Sequence, residues 1–170
     1  MANNSNKGYI KFWGVRGSNP TPDKDKMHYG GDTSCVEIRT KNNDLIILDM
    51  GTGLRNLGKQ ILEDQSYGDE INIFLSHYHW DHIMGFFYFA PLYDSKFTIN
   101  IYGYNAKTPI NTLSEILTNK NFWPVDKDAY QAKINFIEMP KSSNEQKSIT
   151  VNKTNIYYSI HPHPNGTNSF

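Results

Sequence analysis

The chain has 170 residues, enough for one domain whose single core buries about 70% of the surface exposed by the unfolded form. Seventeen basic residues offset seventeen acidic ones, so net charge points to no nucleic-acid partner and leaves only a local cationic cleft for that role. A single cysteine, Cys35, excludes an internal disulfide and a cysteine-rich zinc site, and no stretch approaches the roughly 20 apolar residues of a membrane span; a soluble cytoplasmic protein is expected.

Met1 to Lys7 is polar, lacks the apolar core of a signal peptide, and reads as a tail (residues 1–7) ahead of one domain over residues 8–170. Tyr9 to Val15 predicts a first strand, broken at Gly14 and Gly17. Ser18 to Gly31 contains Pro20, Pro22, Gly30 and Gly31 and predicts a loop. Loops of that length in compact domains tend to be functional, so this one is expected to rim an active-site cleft. Cys35 to Thr40 and Leu45 to Asp49 predict a hairpin turning at Lys41-Asn42-Asn43-Asp44, with Cys35 as a small buried residue. After Gly51-Thr52-Gly53, Leu54, Leu57, Ile61 and Leu62 recur at helical spacing, and the almost unbroken apolar run Ile71 to Ser76 predicts a central strand covered on both faces.

Ile83 to Leu92, rich in Phe, predicts a short helix or irregular segment beneath the site. Phe97, Ile99 and Ile101 alternate with polar residues as a strand closed by Gly103. Thr108-Pro109 predicts a helix start, Thr108 supplying the capping hydroxyl and Pro109 the first helical position; Ile110, Leu113, Ile116 and Leu117 are its buried face and Asn119 lies near its end. Asn121-Phe122-Trp123-Pro124 is an aromatic turn, either cleft wall or core plug. Ile134 to Glu138, Ser148 to Val151 and Asn155 to Ile160 predict short strands, the last two meeting at Asn152-Lys153. Lys141 to Lys147 is polar and the expected place for disorder or nicking.

The chemistry concentrates in His77-Tyr78-His79-Trp80-Asp81-His82, directly after the central strand. Imidazole nitrogens and a carboxylate suit zinc and related divalent cations, and ligands crowded at a strand end can converge on ions held in a cleft. Asp49 ends another apolar strand; it suits a hydrogen bond to a ligating ring N–H, or a cap on the following helix. His163, in the turn His163-Pro164-Asn165-Gly166, is the favoured further ligand. His161 competes with it, because alternate residues of an extended segment face one side. Gly51 and Gly53 read as turn geometry rather than a phosphate cradle, and His28, in the first long loop, reads as exposed.

The pattern His77, His79, Asp81, His82 resembles the metallo-β-lactamase superfamily hallmark, and Phe12 to Ser18, Tyr29 to Cys35, Leu48 to Gly53, Trp80 and Gly85 resemble its phosphodiesterase and ribonuclease Z-like branch. The resemblance runs over nearly the whole chain from Tyr9 and is weakest between Lys120 and Lys153. It implies an α/β fold, a four-layered αββα sandwich, and two divalent metal ions, zinc or alternatively manganese. His77, His79 and a later His would hold the first, and Asp81 and His82 would belong to the second. The implied function is a metal-dependent hydrolase, foremost a phosphodiesterase for a cyclic nucleotide, a nucleic-acid end or another small phosphodiester, with Asp81 orienting the nucleophilic water. Arg16 and Ser18 are candidate phosphate contacts.

The resemblance also predicts a bridging Asp, a further strand and a final His, none of which stands between His163 and Phe170. The expectation is therefore a chain whose second half is C-terminally incomplete, completing one three-His site by itself and pairing with a complementing C-terminal segment or a second copy. Two rival readings remain: a thioester or lactam hydrolase of the same superfamily, and a non-catalytic metal-binding or partner-binding remnant.

Overall fold

A computed structural model of the chain describes residues 7–104, 108–121, 123–125, 127–140, 146–164 and 166–170. Six strands form the first sheet in sequence order: β1 (Tyr9–Gly14), β2 (Cys35–Arg39), β3 (Leu45–Leu48), β4 (Glu70–Phe74), β5 (Thr98–Gly103) and β6 (Lys133–Glu138). The first three are antiparallel neighbours, joined between β2 and β3 by the predicted turn, where Asn43 takes φ 66°. From β3 onward the pairings are parallel, so each connection must cross a face of the sheet.

Those crossings carry the helices. α1 (Leu54–Glu63) lies between β3 and β4, α2 (Trp80–Ile83) and two 3-10 turns between β4 and β5, and α3 (Ile110–Leu117) between β5 and β6. Leu54, Leu57 and Ile61 of α1, Ile83 of α2 and Ile110, Leu113 and Leu117 of α3 pack on Ile47, Ile71, Ile73, Ile99 and Ile101 in one cluster. Alternation along the strands sends Ile46, Phe74 and Tyr102 to the opposite face, where they meet Val151, Ile156 and Tyr158. These last residues belong to the second sheet, β7 (Lys147–Val151), β8 (Thr154–His161) and β9 (Thr167–Ser169), all antiparallel. The layers thus run helix, sheet, sheet, in the order expected of the sandwich, and β4 is buried on both faces as its composition requires.

Trp123 stacks on Phe87, with centroids 4.9 Å apart, and packs against the main core, so the aromatic turn acts as a plug there. Phe122, Asn165, the tail before Lys7 and residues 141–145 of the polar segment lie outside the described residues. The start of α3 differs from expectation. Pro109 is the N-cap, with extended ψ 152°, rather than the first helical residue, and Ile110 N–H donates to Glu138 Oε2 at 2.7 Å. A carboxylate on β6 thus brings full charge to the positive end of the helix. Glu138→Ala is expected to lower stability by about 1 kcal/mol, seen as a lower urea midpoint at unchanged slope.

Candidate metal centre

The parallel strands deliver their chemistry at their C-terminal ends, where β3 leads into Asp49 and β4 into Ser76. Asp49 takes φ 62°, a left-handed turn in which its amide still donates to Phe74 O at 2.9 Å. This brings its carboxylate beneath the motif. Oδ1 accepts from Ser76 N–H (2.8 Å) and Ser76 Oγ (2.8 Å), while Oδ2 accepts from His82 Nδ1 (2.7 Å) and Ser34 Oγ (3.1 Å). The capping alternative for Asp49 is not realised: α1 has Gly53 as N-cap, with no side-chain cap bond.

The backbone at Met50 clamps α2 from both sides, its N–H donating to His82 O and its carbonyl accepting from Gly85 N–H, each at 2.9 Å. Chains approach so closely here that a Cβ on Gly51 would collide with the Asp81 carbonyl, and one on Gly85 with the Gly51 carbonyl. Both glycines serve backbone packing under the motif, which fits the turn-geometry reading of Gly51.

His77, His79 and His163 offer one ligand atom each within 4.8 Å of one another. Ring centroids are 4.6 Å apart for His77 and His79, 4.5 Å for His77 and His163, and 4.9 Å for His79 and His163. His163 arrives from the other sheet, in the turn between β8 and β9. That turn is fastened by Asn168 on β9, whose N–H donates to Ser76 O at 2.7 Å and whose side-chain amide donates to Leu75 O (3.1 Å) and Ser76 O (3.0 Å). His161 lies outside this cluster, its Nε2 being 2.8 Å from Ser169 Oγ and 3.0 Å from Ser159 Oγ. His28 is exposed against Tyr29.

Asp81 and His82 form the other flank, with Asp81 Oδ2 3.3 Å from His82 Nε2 and the His77 and His82 centroids 4.2 Å apart. Ser18 reaches this flank through its backbone: its N–H donates to Asp81 Oδ2 at 2.8 Å from a left-handed φ of 65°. The first long loop thus touches the motif, as its length suggested. Arg16 is half-buried two residues upstream; its amide donates to Asp32 O at 3.0 Å, and its buried Nε has no hydrogen-bond partner among the described residues.

Electrostatics separates the two flanks. Burial, reinforced by the neighbouring His82, lowers the His77 pKa to about 4, so this ring is neutral at pH 7 with a lone pair free for a cation. Burial also pulls His82 down, but the Asp49 hydrogen bond and the Asp49 and Asp81 charges outweigh it and leave His82 raised. The signs have opposite consequences without metal. His77 in the unfolded chain takes a proton near pH 6.5 that the folded chain refuses until about pH 4, so its effect on stability is unfavourable and grows as pH falls through that window. The contribution of His82 is full below its unfolded pKa and is lost as pH rises through its raised folded value. Urea titrations in chelator are therefore expected to show wild type losing more stability than His77→Gln between pH 6.5 and 4.

Three nearby imidazoles, one of them held neutral by burial, are a donor set suited to zinc or a similar first-row cation. Sequence reasoning did not single out Ser76, Ser34 or Asn168. Of these, Ser76 had a signal, its place between the strand and the first His of the motif.

A family model described as the metallo-beta-lactamase superfamily matches residues 28–98, a segment holding Asp49 and the whole run from His77 to His82. Among solved structures the chain is similar to human tRNase Z, short form (ELAC1), at 17% identity and TM-score 0.58, covering 95% of this chain and 63% of that one. It is also similar to a diphosphatase from the PhnP family, at 15% identity and TM-score 0.48, covering 89% and 61%. The chain therefore spans less than two thirds of either neighbour. No curated protein sequence matches it. The matched segment, less than half of the chain, is thus similar to the metallo-β-lactamase superfamily and carries the entire histidine-rich motif. Among the described residues no helix is long and apolar enough to cross a membrane.

Proposed function

We propose that the chain carries the metal-binding half of a metal-dependent hydrolase of the phosphodiesterase and ribonuclease Z-like branch, acting on a small phosphodiester, a nucleotide or a nucleic-acid end. The observation that carries this reading is the convergence of His163 from the second sheet on His77 and His79 from the first. These three would hold one divalent cation, zinc or manganese, and Asp81 with His82 would contribute to a second, Asp49 standing behind His82. The fold shared with a protein described as a tRNase Z supports the phosphodiester class.

Bound there, such cations supply Lewis-acid polarisation of a phosphoryl oxygen and activation of the attacking water. The chain's own residues do the positioning. Asp81, its carboxylate held by the Ser18 N–H at 2.8 Å, orients the water through a hydrogen bond. Ser18 at the exposed rim, with Arg16 behind it, offers donors and positive charge to phosphoryl oxygens. Asp49 holds the Nδ1–H of His82 and so leaves Nε2 toward Asp81.

The same reading places further polypeptide, from a second copy or a complementing segment, on the inner face of β1 and β2. There Ile10 and Phe12 are 62% and 66% exposed, beside a cleft of about 280 Å³ lined by Ile38, Leu48, Tyr157 and Phe170. A sedimentation profile that stays monomeric at high concentration would remove the second copy. A reducing cytoplasm suits the buried Cys35, whose thiol pKa burial pushes up; recovery of the protein from a secreted fraction would contradict that location.

Assay of a chromogenic phosphodiester against a chromogenic thioester, each with zinc or manganese, tests the activity. Turnover of the phosphodiester alone is expected. Thioester turnover alone would move the reading to the acyl-transfer hydrolases of the superfamily, and bound metal with no turnover of either would favour a binding module.

A further inference from the structure

We propose that Ser76 is a positioning residue that, together with Asp49, sets the tautomers of His77 and His82 at once and so couples the two flanks of the centre. The proposal rests on the metal-centre reading above and goes beyond it in assigning a role to a hydroxyl that is not itself a ligand.

Ser76 Oγ is 2.8 and 2.9 Å from the two oxygens of Asp49, 3.0 Å from His77 Nδ1 and 3.3 Å from His82 Nδ1. A hydroxyl has one proton to donate and lone pairs to accept with, whereas an ionised carboxylate only accepts. The hydroxyl proton therefore goes to Asp49, and toward His77 the oxygen can only accept. That requires the His77 ring proton on Nδ1 and frees Nε2 as the lone-pair nitrogen. His82 Nδ1 is closer to Asp49 Oδ2, at 2.7 Å, than to the serine, so its proton also goes to Asp49 and its Nε2 faces Asp81 at 3.3 Å. One Ser–Asp pair thereby dictates the protonated nitrogen of an imidazole on each flank.

The pair is itself held firmly. Ser76 N–H donates to Asp49 Oδ1 at 2.8 Å, Ser34 Oγ supports Oδ2 at 3.1 Å, and the Ser76 carbonyl receives Asn168 N–H at 2.7 Å from the strand that follows His163. Ser76 thus touches the strap that brings in the third His, its neighbour His77, and the carboxylate behind His82. The Ser76 N–H and carbonyl bonds are backbone bonds, so Ser76→Ala removes the hydroxyl's contacts with Asp49, His77 and His82 while leaving those in place.

Two measurements test the proposal. In metal-free wild type, nitrogen-detected NMR of the imidazoles is expected to find neutral His77 as the Nδ1–H tautomer; an Nε2–H tautomer there overturns the proposal without any variant. Zinc titration against a competing chelator is expected to show affinity reduced about 10- to 100-fold in Ser76→Ala, with the His77 tautomer shifted toward Nε2–H, while Ser76→Thr keeps both close to wild type. His79→Ala serves as the control for the centre itself. If wild type takes up no zinc, the metal-centre reading falls and the proposal with it. If His79→Ala loses zinc while Ser76→Ala changes neither affinity nor tautomer, the centre stands and the role of Ser76 is overturned.

Discussion

His79→Ala is expected to lose zinc on dialysis and to bring metal-dependent hydrolysis down to background. His79 supplies one of the three imidazoles gathered within 4.8 Å, and two remaining nitrogens cannot enclose a tetrahedral cation with one open position. The drop in affinity should exceed the roughly 100-fold ceiling seen when only a group behind a ligand is removed. The fold should tolerate the change, because His79 is exposed and no core residue leans on it. Metal content by mass spectrometry and rate on a chromogenic phosphodiester are the two readouts. A variant that keeps both at wild-type level would remove His79 from the centre.

Asp49→Ala is expected to do damage of another kind, lowering stability by about 3 kcal/mol even in chelator. Asp49 is 5% exposed, and its carboxylate collects the Ser76 amide, the Ser76 and Ser34 hydroxyls and the His82 ring. Truncation leaves those donors facing a cavity, and it strands a His82 whose proton the carboxylate had favoured. For a chain of this length the change corresponds to roughly 6–12 °C in melting temperature. Asp49→Asn should recover part of it by keeping the shape and one acceptor. A melting temperature for Asp49→Ala within 2 °C or so of wild type would show that the carboxylate does not organise the strand ends.

Most of the first sheet was legible in the chain because its signals are local. Unbroken apolar composition marks β4 as doubly covered, alternation marks β5, and Asn43 and Asn152 at the two hairpins take the left-handed φ their residue type tolerates. Where reading failed, the deciding partner was distant. At the start of α3 the Ile110 amide is taken by Glu138, 28 residues further on, so no local rule could have named that partner. β9 is three polar residues, Thr167 to Ser169, that become a strand by pairing with β8 and hanging Asn168 on the carbonyl of Ser76. Nothing in their composition announces that.

By itself the sequence determined the histidine-rich motif from His77 to His82, its place after a buried strand and the strand-end position of Asp49, because residue type and strand periodicity are properties of contiguous residues. It favoured His163 over His161 without excluding the latter, since alternate residues of an extended segment share a side. Tertiary structure brings only one of the two to the motif: His161 stays in β8 and is engaged by Ser159 and Ser169, while the turn after it carries His163 across to His77 and His79. It also joined Asp49, Ser76 and His82 into one hydrogen-bonded group, because parallel strands far apart in sequence end at the same edge of the sheet.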